Sequence, residues 1–397
     1  MLKKLLLITI LSASFSTIAN ARLERSFSLD SNYAVRQNSN KSISNAALEL
    51  VGLDSLLQDK LLTVFDKDNQ QAGRAVILAY SILSPISDRV SLSFHEFGHT
   101  SRVRSYGDNA QMHLGNYDAN TNNSGYSNFF SYFVNSFKKP YSAGYTSNNA
   151  TSYDDRQNLV TSAAGVNNEM YLAEKIQDKL LLDNSLHMAY GALYFKGKLS
   201  TMMYKCDQSD SSNDKCNMLY YYKKLGYNFK QSDLNKANAI ATALSSDSYA
   251  FLLSYYNFLQ NGKTEVKPFA IGNFLVPNIT SYYNFKGISY KADSGYWFNR
   301  YATMIFGYER VVSGSTQAEM SVGLKLSYKK YGLFTKTIIG KTSTSEIDLS
   351  YNLKKNLTIH LGLDSYSSHS LYGQRNIPTY KDGSKAMQYW TKISFLY

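Results

Sequence analysis

Met320-Ser321-Val322-Gly323-Leu324-Lys325-Leu326-Ser327-Tyr328-Lys329 alternates apolar and polar side chains along its length. Successive residues of a β-strand point to opposite faces, so this stretch reads as a strand with one apolar face and one polar or small-residue face. The pattern returns in Ile347, Leu349, Tyr351 and Leu353, in Leu357, Ile359, Leu361 and Leu363, and in Tyr389, Thr391, Ile393, Phe395 and Tyr397. Lys329-Lys330-Tyr331-Gly332 and Lys354-Lys355-Asn356 fall between such runs as tight-turn candidates, which makes the neighbouring strands antiparallel hairpins.

About seven or eight such strands follow Phe269. Segments about ten residues long with this alternation suit a membrane-spanning barrel, apolar towards lipid and polar inside. A soluble sandwich with one wet face gives the same alternation. The final residues Phe395-Leu396-Tyr397 resemble the C-terminal aromatic signal of bacterial outer-membrane barrel proteins. That resemblance implies an antiparallel outer-membrane β-barrel over residues 266–397. The 34 Tyr, against two Trp, suit a membrane–water boundary, where an amphipathic ring has one apolar end and one wet end.

Residues 1–21 read as a secretory signal peptide, with Lys3 and Lys4 as the charged region, Leu5 to Ile18 as the apolar run and Ala19-Asn20-Ala21 as the cleavage site. The expected location is the cell envelope, and with the barrel the outer membrane of a Gram-negative bacterium. The net charge of +12, which becomes +10 once Lys3 and Lys4 leave, points on an exported chain to anionic lipid or lipopolysaccharide, not nucleic acid, as partner, although a generally Lys-rich composition explains it equally well. In residues 22–41, Phe27, Leu29, Tyr33 and Val35 form a possible first strand, followed by a polar connector. Should that strand pair with the last one, everything between is an insertion into the sheet.

Residues 42–265 carry helical spacing instead. Ala46, Leu50, Leu53, Leu57, Leu61 and Val64 mark one amphipathic helix, and the nine-residue run Ala75 to Leu83 is expected to be a buried helix, too short to span a membrane. The fold class is therefore α+β, a helical unit plus a C-terminal antiparallel barrel. Cys206 and Cys216, in an exported chain, are expected to form one disulfide worth roughly 2 to 3 kcal/mol, closing a polar loop with no candidate ligand in it.

Within the helical unit, His95-Glu96-Phe97-Gly98-His99 places two imidazoles four residues apart, on one face of a helix. Ser84 can cap that helix, Pro85 suits its first position, Asp88 favours its positive end, and Gly107 can stop it. Gly98 costs roughly 1 kcal/mol relative to Ala in a plain surface helix, a cost that makes sense where something approaches closely. In the H-E-x-x-H arrangement two neutral His hold Zn²⁺ and the adjacent carboxylate takes a proton from water. The alternative is a chance match on a surface helix.

These residues resemble the zincin metallopeptidases, with His95 and His99 as metal ligands and Glu96 as catalytic base. His95 to Gly107 is also similar to the active-site helix of the site-2 intramembrane proteases, but their second motif, Leu-Asp-Gly, has no counterpart here. A metzincin third His is absent, Ser105 standing in its place. The pair Asn168-Glu169 resembles the one with which gluzincins present their third ligand, which implies Glu169 as the third metal residue. Glu169 also falls on the apolar stripe Val166, Leu172, Ala173, Ile176 and Leu180, where a carboxylate needs a partner. Pairing with a Lys at the helix edge is the other reading. His113 and His187 are the next candidate ligands. The implied function is a zinc-dependent peptidase anchored in the outer membrane and acting on a peptide or protein. The alternative is a non-enzymatic structural or transport barrel whose helical unit is a plug.

Overall fold

The computed structural model describes residues 26–30, 40–65, 70–115, 125–138, 144–148, 152–206, 213–367, 370–376 and 385–396. Residues 1–21, read above as a signal peptide, and Tyr33, Val35 and Tyr397 lie outside them. From β1 (Ser26–Asp30) the chain runs through α1 (Asn40–Phe65), α2 (Gln70–Ile82), α3 (Pro85–Ser105), β2 (Ala110–Leu114), α4 (Phe129–Ser136), β3 (Gly144–Asn148), α5 (Asp155–Ser162) and α6 (Ala164–Asp183). Then come β4 (Leu186–His187), α7 (Tyr190–Lys198), α8 (Ser200–Met203), α9 (Asp214–Lys224), α10 (Gln231–Leu244), α11 (Ser246–Asn261) and β5 (Glu265–Val266). The remainder is β6 (Ala270–Ile271), β7 (Phe274–Asn284), β8 (Gly287–Asn299), β9 (Ala302–Gly314), β10 (Ala318–Tyr328), β11 (Tyr331–Ile339), β12 (Thr344–Lys354), β13 (Leu357–Ser367), α12 (Leu371–Asn376) and β14 (Lys385–Leu396).

The sheet is ten-stranded and antiparallel, in the order β1-β14-β13-β12-β11-β10-β9-β8-β7-β6. Phe27 lies opposite Phe395 and Asp30 opposite Lys392, so the first strand closes onto the last and the helical unit is an insertion between β1 and the rest of the sheet.

The alternation seen in the sequence is present, with the apolar face turned outward. Met320 is 59 % exposed and Leu361 55 %, and Val322, Leu349 and Tyr389 are exposed as well. Lys291, Glu309, Glu319, Lys336, Glu346 and Asp364 are buried on the other face. A soluble sandwich packs its apolar face against a second sheet, and among the described residues the other two sheets have only two strands each. The charged face is buried because helices fill the hollow behind it. Lys291 Nζ lies 2.7 Å from Glu174 of α6, Lys41 of α1 lies 2.7 Å from Asp364 and 3.2 Å from Glu346, and Arg375 of α12 grips Glu309 with two bonds of 2.7 and 2.8 Å. Glu174, Asp364, Glu346 and Glu309 thus each have a cation beside them, which offsets the cost of burying charge in a low-dielectric interior.

Among the described residues the sheet does not close into the expected barrel: β1 and β6 are its two edges. The reason lies on β7, whose backbone groups facing away from β8 are taken by helix side chains. Asn167 of α6 exchanges two bonds with the Tyr283 backbone, Ser245 bonds both the N–H and the carbonyl of Ile279, Lys198 of α7 also reaches that carbonyl, and Ser246 of α11 donates to Val276 O. An exposed edge must be paired or covered, and helices cover this one where a further strand would otherwise pair.

The run Ala75 to Leu83 differs from expectation too. All but its last residue lies within α2, whose described side chains are buried only along the ridge Gly73, Ile77 and Ser81, while Val76 and Ile82 face outward.

Candidate metal centre

The start of α3 follows its sequence. Ser84 Oγ accepts the Ser87 N–H at 3.1 Å and Pro85 occupies the first helical position, where its missing N–H costs nothing. One turn apart on this helix, His95 and His99 bring their Nε2 atoms to 3.2 Å. Both are buried, as is Glu96.

Glycine makes room for the second wall of the site. A Cβ on Gly98 would fall 2.5 Å from the Ala164 carbonyl oxygen, so only glycine lets α6 cross α3 this closely. At the crossing, a Cβ on Gly165 would lie 2.4 Å from His95 Nε2 and 2.5 Å from His99 Nε2. The space in front of both imidazole nitrogens exists because position 165 has no side chain.

The third group at that point is Asp214, the first residue of α9. Its Oδ2 lies 2.8 Å from His95 Nε2 and 3.0 Å from His99 Nε2. The three donor atoms thus form a triangle with sides of 2.8 to 3.2 Å. That is close to the edge, about 3.3 Å, of a tetrahedron whose corners lie about 2.05 Å from a zinc ion. Two imidazoles and one carboxylate with a fourth position left over is the donor set of catalytic zinc, and the cradle at Gly165 leaves space for it.

The opposite ring nitrogens are held from outside. His99 Nδ1 donates to the Thr161 carbonyl at 2.7 Å. His95 Nδ1 faces Glu169 Oε1 at 3.5 Å and the Tyr204 hydroxyl at 3.3 Å, with the Tyr204 ring stacked on the imidazole. Ser91 and Tyr204 hydroxyls also donate to that Glu169 oxygen. A carboxylate or carbonyl on Nδ1 fixes the tautomer, so each neutral ring presents the Nε2 lone pair to the shared point. Glu169, expected as a ligand, therefore sits behind His95, and Asp214 occupies the place in front.

Electrostatics follow from this packing. Burial works against charge on the imidazoles, yet the Glu169 and Asp214 carboxylates hold His95 well above its ordinary value, and Asp214 raises His99. Burial also opposes ionisation of Asp214, but the two imidazoles hold it below the usual carboxylate range. The cluster is built to hold positive charge between three groups, whether as protons or as a cation. Burial pushes Glu96 up despite the neighbouring imidazoles, the direction a carboxylate needs to accept a proton near neutral pH.

Glu96 points towards β3. Thr146 Oγ1 donates to Glu96 Oε2 at 3.2 Å, and a Cβ on Gly144 would come within 3.0 Å of Glu96 Oε1. β3 pairs with β2 and is the strand that bonds Glu96. Asn168 is a structural clamp, donating to Phe94 O and accepting from Asn40. His113 stacks on Tyr145 and meets Ser147, and His187 meets Asp59, so neither belongs to the cluster.

The residues that sequence reasoning missed are Asp214, Gly165, Thr161 and Tyr204. Asp214 lies between two cysteines that are disulfide-bonded, in the loop expected to carry no ligand. The signal for it was Asn213, a helix cap that fixes the next residue at the start of α9. No protein-family model, no curated protein and no solved structure matches the chain.

Proposed function

We propose that the protein is a zinc-dependent peptidase, with His95, His99 and Asp214 as metal ligands and Glu96 as general base. The observation that carries this reading is the convergence of two Nε2 atoms and one carboxylate oxygen on a glycine-cleared point beside a buried glutamate. Zinc bound there would polarise a peptide carbonyl and lower the pKa of its water. Glu96 takes the proton of the attacking water and passes it to the leaving amine. Glu169, Tyr204 and the Thr161 carbonyl hold the two rings in register, and Thr146 orients Glu96.

The exposed apolar face and charged interior of the sheet support an outer-membrane setting, with lipid against Met320, Val322, Leu349 and Leu361. Helices pinned into the sheet by Lys291–Glu174, Lys41–Asp364 and Arg375–Glu309 would anchor the site to the membrane unit. The same ion pairs favour a second reading, a permanent plug in a non-enzymatic barrel. Glu96→Ala separates the two. Metal retained with hydrolysis of a peptide library abolished supports the peptidase; metal retained with no hydrolysis by either form supports the plug.

A further inference from the structure

Asp214 and Tyr204 reach the His95 imidazole from opposite sides, at Nε2 and Nδ1, and they belong to segments joined by the only two cysteines of the chain. Cys206 is two residues beyond Tyr204, and Cys216 two residues beyond Asp214, with their Cα atoms 4.9 Å apart. We infer that the Cys206–Cys216 bond is a positioning element of the metal centre, so that the oxidised chain holds metal and the reduced chain holds it far more weakly. The inference rests on the ligand set proposed above.

The rest of the junction shows what the bond adds. Asn213 Nδ2 donates to Lys205 O at 2.8 Å, and the Asn213 side-chain oxygen caps α9 through the N–H groups of Lys215 and Cys216. Lys215, buried, sends its ammonium to the carbonyl oxygens of Thr201 and Tyr204 and to Asn235 Oδ1, at 2.6 to 2.7 Å. These contacts fix the axis of α9 but none of them touches the Asp214 carboxylate. Its position follows from where the first turn of α9 is held, and the disulfide is the covalent tie across that turn. Closing the bond removes two electrons and two protons from the two thiols, taken up by a donor protein disulfide that becomes two thiols. An oxidising compartment supplies such donors, whereas a reducing one keeps the thiols open. The site would therefore take its full form only once the chain is exported.

Zinc affinity, read by competition with a chromophoric chelator, tests this in four forms of the full chain: wild type, the double variant Cys206→Ser/Cys216→Ser, Asp214→Asn, and all three substitutions together. Opening the disulfide should weaken zinc about 10- to 100-fold, the range for losing a group that orients a ligand. It should cost almost nothing further once Asp214 is already Asn, because the two changes act through one carboxylate. Wild-type protein reduced with a phosphine, alkylated and desalted gives the same comparison should the double variant fail to fold. Equal affinity with and without the disulfide overturns the inference, and so does the same loss in the Asp214→Asn background, which would mark a general stabilising role. Oxidised wild type that binds no zinc at all would instead bring down the ligand set beneath it.

Discussion

Exchanging the roles of Asp214 and Glu169 is the sharpest consequence of the geometry. Asp214→Ala removes the one oxygen facing both Nε2 atoms, whereas Glu169→Ala removes an oxygen 3.5 Å behind His95 Nδ1. Zinc sites with four protein ligands bind with about 10–16 kcal/mol, or roughly 3–4 kcal/mol per ligand. Losing Asp214 should therefore weaken zinc about 10²- to 10³-fold. Losing Glu169 should cost about 10- to 100-fold, because the ring stays in place on Tyr204 but its orientation and basicity suffer. Chelator competition on the purified variants, with far-UV circular dichroism to confirm the fold, measures both. Near-wild-type affinity in Asp214→Ala alongside loss of metal in Glu169→Ala would refute this reasoning and return Glu169 to the ligand set.

Gly165→Ala should abolish zinc binding while leaving the fold intact, since its Cβ would stand 2.4 to 2.5 Å from both imidazole nitrogens; tight zinc binding by this variant would show that the space in front of the rings is not the site. Leu361→Arg places a charge on the apolar outer face, 55 % exposed, between Leu349 and Thr391 on the neighbouring strands. At the middle of a bilayer that change costs about 2–4 kcal/mol, so membrane fractionation should fall, and unchanged fractionation counts against lipid on this face. Among the described residues the buried Asp247 has no hydrogen-bond partner on either carboxylate oxygen, and burial raises its carboxyl from 3.8 to about 7 against the opposing Asn278 and Lys198. Below about pH 4 both folded and unfolded chains keep that proton; between about pH 4 and 7 only the folded chain does, and stability falls by up to ~4 kcal/mol. Asp247→Asn should gain on wild type in urea unfolding across that window and stay level above it, whereas a difference independent of pH would contradict the assignment.

Periodicity made much of this fold legible. The strands from Met320 onward have a period of two that any sheet must keep, and β12 and β13 repeat it in register. Whether the sheet closes was not legible, because closure is decided at the β7 edge by Asn167, Lys198, Ser245 and Ser246, four polar residues of the helical unit. Within the site, His95, Glu96 and His99 were visible because four residues make one turn of one helix. Gly98 was visible as a cost without a cause, and the Ala164 carbonyl is the cause. Asp214 was hidden by the opposite circumstance. It lies 115 residues beyond His99, in a polar stretch where an acid attracts no notice, and the packing of α9 against α5, the Lys215 bond to Thr201 O of α8 and the disulfide bring it back to α3. Glu169 drew attention because a carboxylate on an apolar stripe demands a partner, and its partners proved to be Ser91, Tyr204 and the far nitrogen of His95.

The most direct test of a zinc centre at this point is anomalous diffraction at the zinc edge from crystals of the full chain equilibrated with Zn²⁺. A zinc centre there gives one strong peak within coordination distance of His95 Nε2, His99 Nε2 and Asp214 Oδ2, about 2 Å from each. No peak there, or a peak between Glu169 and His95 Nδ1, would contradict it.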